Sequence, residues 1–62
     1  MKVEDFYPLL SGQRLHHAVF GSGTLIKFVD GGLGLQAEII FDQSGTKLLV
    51  LYFAAPKFTL VK

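Results

Sequence analysis

Apolar and polar positions alternate along this chain in short runs, and glycine interrupts the runs about every ten residues. No stretch places apolar residues at helical spacing between helix caps over the length a stable helix needs. The pattern predicts an all-β domain with strands over 13–19, 23–30, 35–41, 46–53 and 58–61. The connections "FGSG", "DGGLG", "DQSG" and "AAPK" consist of residues that supply a positive or a fixed φ. Ahead of them, 1–11 reads as an N-terminal arm in which Pro8 limits any helix to a turn, and the barrel domain is expected over 12–62.

Period-two alternation puts Leu15, His17 and Val19 on one face of the first strand and Arg14, His16 and Ala18 on the other. In the third, Ala37, Ile39 and Phe41 share a face opposite Gln36, Glu38 and Asp42, with Ile40 as the apolar exception. The second and fourth strands are apolar on both sides: Leu25 and Val29 oppose Ile26 and Phe28, and Leu48, Val50 and Tyr52 oppose Leu49, Leu51 and Phe53. Five short strands with tight turns predict a small SH3-like or Tudor-like barrel, because closing the sheet removes most exposed edges. An open meander paired with a second copy is the alternative. The surplus apolar residues either lie under the N-terminal arm or form a contact surface for a partner.

Composition sharpens this. At 62 residues the chain is one domain with a small interior, yet half of it is hydrophobic and its mean hydropathy is +0.43. With no cysteine, neither a disulfide nor a thiolate metal site can brace the fold. A net charge of +1 is too small to drive strong binding to a nucleic-acid backbone. No apolar run reaches the length of a membrane span and the N-terminus lacks signal-peptide order, so the chain reads as soluble and cytoplasmic.

Candidate chemistry is sparse. "GSGT" precedes a β pattern rather than a helix and lacks the Lys-Ser/Thr ending of a phosphate loop, so Gly21 and Gly23 read as turn or bulge residues beneath which Phe20 closes the barrel end. Adjacent His16 and His17 face opposite sides of a strand and cannot hold one metal together; His17 reads as a core-edge histidine bonded to backbone. Ser11, Ser22 and Ser44 lie in glycine turns without triad partners, and the acidic residues are scattered. No enzyme activity, cofactor or metal site is expected. The aromatics Phe20, Phe28, Phe41, Tyr52 and Phe53 read mainly as core, against a cage for a methylated cation.

The run "GQRLHHAVFGSGTL" resembles the opening of the C-terminal Tudor-like domain of UvrD/PcrA-type DNA helicases, with Gly12, Leu15, His17, Phe20, Gly21, Gly23 and Leu25 at the matching positions. Downstream, Ile39, Phe41, Asp42, Gly45, Lys47, Leu49, Phe53 and Ala54 continue the likeness, which covers about 12–60. The related opening of the RNA polymerase-interacting domains of CarD and the transcription-repair coupling factor carries a histidine where this chain has Phe20. Ala18 and Val19 replace the helicase family's basic residues, and "PKFTLVK" replaces its usual ending. The resemblance implies a non-catalytic module that docks onto RNA polymerase or DNA repair machinery. The expected partner-binding residues are Ile26, Lys27, Phe28, Lys47 and Tyr52, apolar side chains beside single basic ones. Gly12, Leu15, His17, Phe20, Gly21 and Gly23 form the structural motif. A nucleic-acid-binding barrel with weak contacts, stacking bases beside Arg14, Lys27 and Lys47, is the alternative, and a homo-oligomer that buries the fourth strand between copies is a third reading.

Overall fold

A computed structural model describes residues 1–61. It is a small all-β domain whose five strands form a single antiparallel sheet in the order β4-β3-β2-β1-β5. The strands are β1 (Arg14–His17), β2 (Gly21–Gly31), β3 (Gly34–Phe41), β4 (Gly45–Val50) and β5 (Phe58–Leu60). One helical turn, α1 (Leu51–Ala54), and a 3₁₀ turn at Ala55–Lys57 join β4 to β5.

The core consists of Phe6, Leu15, Leu25, Ala37, Ile39, Phe41, Leu51, Ala55 and Phe58. Alternation delivers Leu15 from β1 and Ala37, Ile39 and Phe41 from β3, and cross-strand pairing lines up Leu25 with Ile39 and Phe28 with Ala37. Leu25 and Phe28 are three apart, a spacing that regular alternation forbids on one face. A register shift between Leu25 and Lys27 reconciles them: Ile26 is an extra residue in the ladder, and inward positions resume one residue later. The two-sided apolar pattern of this strand is thus the imprint of a bulge.

Three expectations require correction. The fourth strand stops at Val50 rather than running over 46–53, and Leu51–Ala54 is helical. Leu51 and Ala55, four apart, are both buried, so a turn of helix rolls two residues into the core where a strand would alternate them. Tyr52, assigned to a strand face, therefore lies on the helical turn. Secondly, "AAPK" is part of this helical segment, with Pro56 near the start of the 3₁₀ turn, where a missing N–H costs least. Thirdly, β1 ends at His17, and Val19 sits exposed in the following turn rather than beside Leu15 and His17.

The N-terminal arm holds a 3₁₀ turn at Val3–Phe6, with Lys2 N–H donating to the Asp5 carboxylate at 2.7 Å. Phe6 is wholly buried and meets Phe58 edge-on, with ring centroids 5.5 Å apart, while Met1, Val3 and Leu9 pack around the same core. The arm belongs to the packed unit that the pattern placed from Gly12 onward. Among the described residues no helix is long and apolar enough to cross a membrane.

Candidate functional site

The corner after β1 is organised by His17, only 6% exposed. Its Nδ1 accepts the backbone N–H groups of Val19 at 3.0 Å and Phe20 at 3.2 Å, which fixes the neutral form with the proton on Nε2. The Phe20 ring stacks on it at 4.7 Å between centroids, and Phe41 and Phe58 meet it edge-on. Burial, then the positive charges of Lys57 and His16, push its pKa below the ordinary value. The two glycines here have different tasks. Gly21 takes φ +83°, whereas a Cβ on Gly23 would fall 2.8 Å from Ile39 Cγ2 and 2.9 Å from the Ile40 carbonyl oxygen. Neither cradles an anion at a helix start, since both lie in β2.

Lys47 also stands over the Phe20 ring, its Nζ 4.7 Å from the ring centroid. Lys47 pairs with buried Ile39 and so belongs to the inner side of β4, at its rim. On the outer side, His16 Nδ1 lies 3.2 Å from Ser22 Oγ, and among the described residues no carboxylate bonds to this histidine to orient it as a base. Arg14 grips both carboxylate oxygens of Asp42 and donates to Thr24 Oγ1 at 2.9 Å. This bidentate bond raises the Arg14 pKa and lowers that of Asp42. Among the described residues no cluster of His, Asp or Glu is suited to hold a metal.

The cross-strand register lays out the outer face of β2, β3 and β4 as three rows: Thr24–Ile40–Thr46, Lys27–Glu38–Leu48 and Val29–Gln36–Val50. Ile40 and Leu48 are diagonal neighbours on it, 46% and 51% exposed, with half-buried Val29 and Val50 in the next row. Polar and charged groups, Thr24, Thr46, Lys27, Glu38 and Gln36, surround them. At the end of β4, Tyr52 and Phe53 stand 75% and 68% exposed on α1, their rings packed edge to face at 5.2 Å.

The structure thus divides the five expected partner-binding residues among different surfaces. Lys27 is exposed on the outer face opposite Glu38, and Ile26 is the half-buried bulge residue beside it. Phe28 turns inward against the core, Lys47 covers Phe20, and Tyr52 stands on the helical turn. Ile40, Leu48 and Phe53, three exposed apolar groups beyond that set, carried their own signals: Ile40 breaks the alternation of its strand, and the other two lie in the run that is apolar on both sides.

No protein-family model and no curated protein matches this chain.

Proposed function

We propose that this domain is a non-catalytic docking module that binds a partner protein through the outer face of β2, β3 and β4. The observation that carries the reading is the exposure of Ile40 and Leu48 side by side within a polar rim, the layout of a protein contact with an apolar centre. The resemblance of 12–60 to helicase Tudor-like domains supports RNA polymerase or the DNA repair machinery as the partner class.

Fluorescence anisotropy of the labelled domain titrated with RNA polymerase tests this. Ile40→Glu is expected to weaken binding about tenfold or more, because a charge in the apolar centre cannot be buried unpaired, and Lys27→Ala a few-fold at the rim. Ile40 is exposed, so the fold survives the change and circular dichroism is expected to match wild type. Binding that ignores Ile40→Glu, or no binding by the wild type, removes the proposal. A parallel titration with single- and double-stranded DNA at two salt concentrations is expected to be weak. Tight DNA binding that falls steeply with salt makes nucleic acid the partner instead.

A further inference from the structure

The two borders of the sheet are built differently. β5 is three residues long, and the Met1 ammonium group donates to its Phe58 carbonyl at 2.9 Å. β4 is six residues long, with β3 on one side and, among the described residues, no strand on the other. Among the described residues, the backbone hydrogen bonds outside the regular ladders and helices involve none of 45–49. Edge strands are ordinarily protected by an outward lysine, a proline or a bulge. β4 has no proline and no bulge against β3, and its one charge, Lys47, is drawn to Phe20 on the inner side. The edge is straight, uncharged on its outer side, and bears Leu48 at its middle.

From this we infer that β4 is a self-association edge, on which a second copy of the chain adds its own β4 antiparallel about Leu48. The occupant follows from the strand's self-complementarity. With Leu48 opposite Leu48 of the second copy, Thr46 meets Val50 and Lys47 meets Leu49, so no like charges face each other. The two Leu48 side chains and the diagonal Ile40 of each copy close into one apolar cluster on the outer side. The contact runs through the main-chain edge, so the dimer presents the two outer faces in one continuous sheet with this apolar cluster at their seam. It stands independently of whether that face binds RNA polymerase.

The cysteine-free sequence permits a register-specific test. Opposed residues of an antiparallel pair have Cα atoms about 4.5–5.5 Å apart, within the roughly 4.4–6.8 Å that a disulfide spans. Under mild oxidation Leu48→Cys is expected to crosslink two copies roughly tenfold faster than Thr46→Cys, because paired edges hold only the former thiols opposed. In this register two copies of position 46 lie about 13 Å apart along the strands. Sedimentation equilibrium up to millimolar concentration is expected to show a monomer–dimer equilibrium for the wild type and a monomer for Leu48→Lys, whose exposed side chain leaves the core intact. A wild-type monomer at the highest concentration overturns the inference. So does a dimer indifferent to Leu48→Lys, or equal crosslinking at positions 46 and 48.

Discussion

The amide of Phe20 donates to Nδ1 of His17 while the two rings stack 4.7 Å apart, so one histidine both shapes the turn after β1 and supports the aromatic above it. A protonated imidazole has no acceptor at Nδ1, and the positive charges nearby are Lys57 and His16, with Lys47 beyond Phe20. The folded state therefore favours neutral His17 and holds its pKa below the ordinary 6.5. Above that value both folded and unfolded chains are neutral at this position and the stabilisation is complete. As the pH falls through the unfolded value toward the lower folded one, the unfolded chain takes up the proton first and stability declines. Urea denaturation between about pH 7 and pH 5 is expected to show this decline. His17→Asn keeps an acceptor near Nδ1 without titrating, and its stability is expected to vary less over the same interval. A wild-type stability that stays flat there contradicts the assignment.

Gly23 is expected to be far less replaceable than Gly32. Its missing Cβ leaves room for the Ile40 carbonyl and the Ile39 and Phe41 side chains, all within 3.0 Å of where that atom would stand. Gly23→Ala is expected to cost about 1–3 kcal/mol through forced displacement of packed neighbours. Gly32 has open space around it and no positive φ, and Gly32→Ala is expected to be neutral or to stabilise by about 0.4–1 kcal/mol. Thermal unfolding of the two variants provides the comparison, and equal midpoints would refute the packing account.

Phe6 ties the N-terminal arm to the sheet. Phe6→Ala is expected to cost about 3–5 kcal/mol. A 62-residue domain has only about 3–9 kcal/mol in total, so the variant should be largely unfolded at moderate temperature. Deleting 1–11 is expected to do the same, measured by the loss of near-ultraviolet ellipticity and of dispersed methyl resonances. A truncated chain that keeps a cooperative unfolding transition would make the arm dispensable.

The Lys47 ammonium over Phe20 is expected to contribute about 0.5–1 kcal/mol. A double-mutant cycle of Lys47→Met and Phe20→Leu isolates it from the burial of the lysine stem. Additivity of the two single changes would show that the ammonium contributes nothing there.

At lower pH a second loss of stability is expected, from Asp42. The Arg14 guanidinium lowers its pKa beneath the ordinary 3.8, so the pair stabilises the fold above that value and the contribution disappears as pH falls through the depressed one. Carboxyl carbon shifts followed by NMR should place the Asp42 midpoint below the usual value in the wild type and nearer to it in Arg14→Gln. An unchanged midpoint would rule out the bidentate contact as its cause.

The sequence made β1 and β3 readable because each buries one face and their alternation is close to regular. It concealed the bulge in β2, since an added residue shows only as two misaligned halves of alternation, Leu25 before Ile26 and Phe28 after Lys27. In "LLVLYF" every position is apolar, and period two cannot be told from one turn of helix until the burial of Leu51 and Ala55 is known. Phe6 was illegible for a different reason. A single apolar residue between Asp5 and Tyr7-Pro8 has no periodicity, and only tertiary packing against Phe58 gives it a place. For the candidate site, the two-sided apolar strands signalled surplus surface, but which residues share a face depends on the bulge and on the end of β4.

The extra residue at Ile26 also determines how the chain tolerates changes in length. Upstream of it inward positions fall on one parity of the numbering and downstream on the other, so removing Ile26 itself would leave Leu25, Lys27 and Phe28 opposite Ile39, Glu38 and Ala37 in an unbroken ladder, whereas one more residue in β2 would have to widen the bulge or turn a half-strand to solvent. At the Gly32–Leu33 tip between β2 and β3, added residues would lie beyond the last cross-strand pair and leave every register untouched. The bulge is thus the one place where β2 can lose a residue and keep its pairing, while a few residues away the same hairpin offers a place to carry an inserted reporter or epitope.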